Sequence, residues 1–314
     1  MAFVVNKLTP DIIEQIKNTK VVRFDFEFNE NIDFIQNTNI EEIYFEIYGN
    51  YNYLLDNLPD TLRILKIPKN FTHKINIFPP NLQELIIHAE YNYPLDNLPE
   101  GLLKLYLCNN TNYDLNNLPN SLEILKSGNR DIKITLLPMS LKELTLSRYH
   151  LYKIDYFPPN ITLLQLSYYY NFPLDNLPNM LFKLIIAGGP QEYEDLDIIY
   201  PEFNQPLNDL PDNIREIEIC VNHYTQEITK LPQNLEIIMF FTGTKSLFDV
   251  VIPIPLSLVQ YISTARSMTL RCEGAQLPNR TLATTEQKFG SNPVEKHPYL
   301  TTYNDLDLTF IIDS

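Results

Sequence analysis

The stretch Tyr91-Asn92-Tyr93-Pro94-Leu95-Asp96-Asn97-Leu98-Pro99-Glu100-Gly101-Leu102-Leu103-Lys104-Leu105-Tyr106-Leu107 reads as one turn of a coil. Leu95 and Leu98 are three apart, which places both on one side of a tight 3₁₀-like turn. Asp96-Asn97 between them are turn formers that face outward. Pro99 has no N–H to give to a sheet, so it belongs just ahead of a strand. Leu102…Leu105-Tyr106-Leu107 ends in a period of two, the mark of a short strand with one face buried. A unit this short cannot cover its own leucines and needs copies of itself on either side.

The copies are present. Equivalent prolines stand at 59, 79, 99, 119, 138, 158, 178, 211, 232 and 255, at intervals of 20, 20, 20, 19, 20, 20, 33, 21 and 23. Positions four and one before each proline, and three, six and eight after it, hold 48 apolar residues in 50 slots. The overall apolar content of 44% would give 22, so the register is not chance. The fold expected is a β-rich solenoid, a leucine-rich-repeat-like right-handed coil. One face is a parallel sheet, and the convex side is 3₁₀ or extended. A further column precedes the turn: Tyr51-Asn52, Tyr91-Asn92, Tyr170-Asn171 and Phe203-Asn204, with weaker members at Phe71-Thr72, Thr111-Asn112 and Tyr224-Thr225. Its aromatics are expected to pack between coils, and its asparagines to bond loop backbone that no strand satisfies.

Composition narrows the function. The 314 residues carry 24 basic and 39 acidic side chains, a net charge of −15 that repels phosphate backbones and anionic lipid. Nucleic acid and membrane are therefore not expected partners. No apolar run approaches the length of a bilayer span, and the first residues do not read as a signal peptide. Three cysteines make no disulfide framework and fit a reducing compartment, with the cytoplasm expected. With only 8 glycines, a Gly-rich phosphate loop is not expected, and Gly243-Thr244-Lys245-Ser246 lacks the spacing of one. No His-x-x-x-His, Cys-x-x-Cys or Gly-x-Ser-x-Gly occurs. The expectation is a protein without catalytic residues, cofactor or metal.

These residues resemble the FNIP repeat, a short relative of the leucine-rich repeat. Its Phe/Tyr-Asn-x-Pro-Leu-x-x-Leu-Pro pattern stands at Tyr91–Pro99, Tyr170–Pro178 and Phe203–Pro211. The family is known mainly from social amoebae and giant viruses of amoebae, which implies the cytoplasm, that of the host if the protein is viral. Some members carry an N-terminal F-box, so the resemblance implies a protein partner that is a ubiquitin-ligase component or its target. Bacterial effectors with Leu-Pro-type leucine-rich repeats are a second resemblance, but the residues after the solenoid are too few for their ligase domain.

Along the chain, residues 1–20 read as an N-terminal helical cap, with Thr9 as N-cap, Pro10 in the first turn and an apolar stripe of Ile12, Ile13 and Ile16. Strand-like sequence by Val21-Val22-Arg23-Phe24 leaves too little room for the several helices of an F-box. Residues 21–263 form a solenoid of about 11 repeats, with an acidic insertion at about 188–202. Residues 264–314 read as a C-terminal cap and partly irregular tail. The outward strand positions are the expected protein-binding face: Arg63, Lys66, Lys104, Tyr106, Lys126, Lys142, Phe182, Lys183 and Arg215, interleaved with glutamates. Tyr106 and Phe182 would be the anchors. The same charges could equally serve only as cross-strand pairs that keep the sheet soluble. The alternative function is a structural or virion-associated scaffold.

Overall fold

The computed structural model describes residues 3–241 apart from 90, 108–114, 116, 129–133, 135, 147–149, 187–202, 221–223 and 227, together with 283–284 and 298–299. The acidic insertion and most of the 264–314 tail lie outside the described residues. The chain divides into two compact units, residues 1–161 and 162–314.

In the first unit, strands β1 (Phe3–Val5), β2 (Val21–Phe24), β3 (Glu42–Phe45), β4 (Ile64–Ile67), β5 (Glu84–Ile87), β6 (Lys104–Leu107), β7 (Ile124–Ser127) and β8 (Glu143–Thr145) pair in chain order, every pair parallel. The second unit repeats the arrangement with β9 (Leu163–Leu166), β10 (Lys183–Ile186), β11 (Glu216–Cys220) and β12 (Ile237–Phe241). It also holds a short antiparallel pair, Ala283–Thr284 with Pro298–Tyr299. This is the leucine-rich-repeat-like solenoid the proline register predicts, one strand per coil.

The register puts like residues in line. Leu65, Leu85, Leu105, Leu125 and Leu144 are successive partners in the first unit, as are Leu164, Leu184, Ile217 and Ile238 in the second. All are buried, as are the described members of the columns four before the proline and three after it. The column one before the proline is looser, with Leu118, Leu137 and Leu231 only half-buried.

Each repeat proline from Pro59 to Pro232 opens a β-turn, and its carbonyl accepts from the N–H three residues on: Leu62 to Pro59 at 3.0 Å, Leu102 to Pro99 at 3.0 Å, Leu181 to Pro178 at 3.0 Å and Ile214 to Pro211 at 3.2 Å. The missing N–H costs nothing there, and the turn delivers the chain into the strand. The interstrand ladder starts one residue ahead of β3 to β8 and of β10 to β12, with Arg63 N to Glu41 O at 2.7 Å and Gln83 N to Arg63 O at 2.8 Å.

On the opposite side, a 3₁₀ turn forms among the described residues only at Asp33–Ile35. Asp56-Asn57 and Asp155 make bends and Asp96-Asn97, Asp175-Asn176 and Asn208-Asp209 simple turns at the place where the leucine spacing predicts one, while Ile75–Phe78 and Ile228–Leu231 make neither. The reason lies between coils. Asp56 Oδ1 accepts from Asn76 N at 3.1 Å, and Asn208 Oδ1 from Thr229 N at 2.7 Å, so these backbone groups are answered by the preceding coil instead of by a local ring.

The Asn column does the same higher up. Asn52 N donates to Asn29 Oδ1 at 3.0 Å, and Thr72 N to Asn52 Oδ1 at 2.8 Å. Likewise Asn204 N donates to Asn171 Oδ1 at 2.9 Å, and Thr225 N to Asn204 Oδ1 at 2.8 Å. The aromatic partners Tyr51, Phe71, Tyr91, Tyr170, Phe203 and Tyr224 are buried. Phe203 and Tyr224 stack at 6.4 Å with planes 2° apart, and the Tyr91 hydroxyl accepts from Ile75 N at 2.9 Å.

The N-terminal cap contains a strand as well as the helix. β1 pairs with β2 through Phe3↔Val22 and Val5↔Phe24. Helix α1 (Pro10–Lys17) follows, with Thr9 Oγ1 accepting from Ile12 N at 3.3 Å. Asp11 in its first turn and Lys17 in its last suit the helix dipole, and Ile16 is fully buried while Ile12 and Ile13 are half-buried.

Removing one buried methyl cluster tests the shared interior. Leu105→Ala, at a position with 0% exposure, is expected to lower unfolding stability by about 2–5 kcal/mol in a denaturant titration followed by circular dichroism.

Candidate interaction surface

The alternation that buries the leucines turns every second strand residue outward, and parallel pairing assembles these residues into rows. In the first unit the first outward row is Val21, Glu42, Ile64, Glu84, Lys104, Ile124 and Glu143. The second is Val4, Arg23, Tyr44, Lys66, Ile86, Tyr106, Lys126 and Thr145. A third row, Glu41, Arg63, Gln83, Leu103, Glu123 and Lys142, enters the strands through the ladder bonds.

The nine expected face residues fall into two groups. Arg63, Lys66, Lys104, Tyr106, Lys126 and Lys142 share the outward face of the first unit, and Phe182, Lys183 and Arg215 that of the second. Most are engaged with their neighbours. Arg63 donates to Gln83 Oε1 from Nε at 3.2 Å and Nη2 at 3.0 Å, and lies 3.9 Å from Glu41. Lys104 meets Glu84 at 3.2 Å, and this hydrogen-bonded carboxylate raises the lysine above its ordinary value. Lys142 meets Glu123 at 2.8 Å. Lys183 lies between Glu216 at 3.1 Å and Glu218 at 2.5 Å. Burial works against the charge on Lys183, but the two glutamates outweigh it and raise its pKa. Arg215 pairs with Glu236 at 2.8 Å and lies 5.7 Å from the Phe182 ring centre.

Such cross-strand pairs contribute about 0.2–1 kcal/mol each. They order the face and neutralise most of its charge. Lys66 and Lys126 differ: neither forms an ion pair with a carboxylate among the described residues. Lys126 stands 5.5 Å from the centre of the Tyr106 ring instead. Tyr106 is half-buried, and burial followed by the Glu84 charge raises its hydroxyl pKa.

Other features were not foreseen. Arg23 lies 4.2 Å over the Tyr44 ring, whose hydroxyl donates to Glu42 Oε2 at 2.8 Å. Burial, then this bond and the Glu42 charge, push the Tyr44 hydroxyl up to about 12. On the loop side, several inner aromatics carry an outer ring two residues on, whereas Phe203 and Tyr224 are followed there by Gln205 and Gln226. The pairs are Tyr51 with Tyr53 at 6.3 Å, Phe71 with His73 at 5.9 Å, Tyr91 with Tyr93 at 5.4 Å and Tyr170 with Phe172 at 5.3 Å. His150, 2% exposed, fills the inner slot above Tyr152. Lys69, Asn70, Phe71, Thr72, Asn92 and Tyr93 line an open groove of about 480 Å³ beside these rings.

Among the described residues no group of three His, Cys, Asp or Glu side chains could hold a metal ion. Nor is any helix long and apolar enough to cross a membrane.

Residues 243–314 match the family described as phage tail tube protein. No curated protein matches the chain. Among solved structures, CroV588, a circular leucine-rich-repeat protein, is similar at 24% identity with a TM-score of 0.47, covering 80% of this chain and 48% of its own. YopM from Yersinia enterocolitica is similar at 20% identity with a TM-score of 0.46, covering 87% of this chain and 60% of its own. The chain thus spans about half the length of CroV588 and three-fifths of YopM. The leucine-rich-repeat character of the fold rests on the strand register and the buried columns.

His88, just past β5, gives a pH test. Burial holds its imidazole below the ordinary histidine value, and the Lys66 charge adds to the shift. The unfolded chain then binds a proton that the fold resists. Stability is full above the unfolded pKa of about 6.5 and declines as pH falls through it. Thermal melts from about pH 8 to about pH 5 are expected to show a smaller loss for His88→Gln than for the native chain. Parallel curves would contradict this.

Proposed function

We propose that this chain is a non-enzymatic protein-interaction solenoid that recognises a protein target through the outward faces of its sheets. The observation that carries the reading is the ordered face itself. Charged and aromatic side chains are set in rows by strand register, with Tyr106 and Phe182 flanked by Lys126 and Arg215. Tyrosine and arginine are enriched among the residues that anchor protein interfaces energetically.

The resemblance to FNIP repeats extends this reading to target recruitment linked to ubiquitination, in the cytoplasm of an amoeba or of an infected amoebal host. Helix α1 is a single helix within residues 3–20, so in this reading the chain docks a ligase component or its target and does not supply an F-box from that segment. A second reading, a structural or virion-associated scaffold, draws support from the match of residues 243–314 to phage tail tube proteins.

Affinity capture from an amoebal lysate separates them. The native chain is expected to recover a specific protein, and a Tyr106→Ala, Phe182→Ala variant to recover at least about tenfold less. Ligase adaptors in the captured set would favour the ubiquitination link. Capture that ignores the double variant would overturn the sheet-face reading. Self-association in size-exclusion chromatography, with the chain present in purified particles, would favour the scaffold.

A further inference from the structure

The second outward row of the first unit has a composition unlike the rest of the molecule. Val4, Arg23, Tyr44, Lys66, Ile86, Tyr106, Lys126 and Thr145 contain three cations, four apolar or aromatic residues and no carboxylate. This lies in a chain with a net charge of −15. The carboxylates of the adjoining row are largely engaged, Glu84 with Lys104 and Glu42 with the Tyr44 hydroxyl. Arg23, Lys66 and Lys126 make no ion pair with a carboxylate among the described residues. Two of them lie against tyrosine rings, Arg23 on Tyr44 and Lys126 on Tyr106.

From this row we infer that the first unit binds an extended acidic peptide laid across its strands. The inference rests on the sheet-face reading above and gives the chemistry of the partner. Arg23 and Lys66 sit on strands two apart, and Lys66 and Lys126 on strands three apart. At about 4.8 Å per strand the cations are spaced by about 10 and about 14 Å. An extended chain advances about 3.3 Å per residue, so carboxylates about three and about four residues apart fall within reach of the three side chains. Tyr44, Ile86 and Tyr106 lie between the cations and receive the apolar residues of the peptide. A nucleic-acid strand could also use cations and rings. A phosphate at every nucleotide is repelled along its whole length by a chain of net charge −15, whereas a peptide places charge only where the cations stand.

Fluorescence anisotropy on the full chain tests this. The probes are a labelled peptide of about 12 residues with glutamates at those spacings and leucines between, its lysine counterpart, and an oligouridylate of similar length. The glutamate peptide is expected to bind, to weaken as salt rises, and to lose at least about tenfold in affinity to Lys66→Glu and to Lys126→Glu. Lys66→Gln, which adds no repulsion, is expected to show a smaller loss and guards against misfolding of the reversed variants. The inference is overturned by absent binding, by equal binding of the lysine peptide, by indifference to the charge reversals, or by preference for oligouridylate. If lysate capture still depends on Tyr106 and Phe182 in any of those cases, the acidic-peptide inference alone has failed and the sheet-face reading stands.

Discussion

Each coil of this protein has a leucine interior that is closed only by the coil before it and the coil after it. Leu105 is covered because Leu85 and Leu125 lie in register on either side, and each of those depends in turn on its own neighbours. Fully burying one leucine contributes about 1.5–3 kcal/mol, and each coil brings several. Stability in such a chain is a sum of neighbour terms, with little held by contacts distant in sequence. The parallel sheet follows from this stacking, since equivalent short strands brought side by side have no other way to satisfy their backbone. At the β2 edge the neighbour is supplied by β1, and the amphipathic helix α1 that joins them buries Ile16.

The sheet occupies only a few residues of each coil, yet the remaining backbone must also be satisfied. Side-chain carboxylates and amides do this. Asp56, Asn52, Asn171, Asn204 and Asn208 each accept from a main-chain N–H one coil further on. The solenoid therefore has a backbone ladder on one side and side-chain ladders on the other. The outer face is similar: most of its charge lies in pairs between neighbouring strands, so the few cations without an ion pair among the described residues stand out.

Much of this was legible in the residues. The proline interval located every described coil from Pro59 to Pro232, and the leucine slots named the core, because burial imposes one residue class at one spacing. The role of the Asn column followed because a polar residue repeated beside a buried aromatic must answer backbone. Other features were harder to read. β1 is three residues with no proline before it, so nothing in Phe3-Val4-Val5 distinguishes a strand from a frayed end. The choice between 3₁₀ and extended backbone on the convex side could not be read coil by coil, because the leucine spacing allows both and the neighbouring coil competes for the same N–H groups. His150 hid in the aromatic column because histidine counts as polar, although its ring fills the slot. The outer aromatics Tyr53, Tyr93, Tyr152 and Phe172 did repeat, six residues ahead of Pro59, Pro99, Pro158 and Pro178, and could have been found by that spacing. The segregation of cations into the second row needed the strand register, since alternate residues of one strand belong to different rows.

The joint between β10 and β11 carries a broader lesson. The residue pair Asn171 and Asn204 is 33 apart in sequence, yet it makes the same amide contact as pairs 20 or 21 apart, and Lys183 still partners Glu216. The contacts that define a coil depend on its two ends and are indifferent to the length of chain between them. Such a joint is a natural port for foreign sequence: a loop, an epitope or a small domain spliced there would leave the spacing of the flanking strands unchanged.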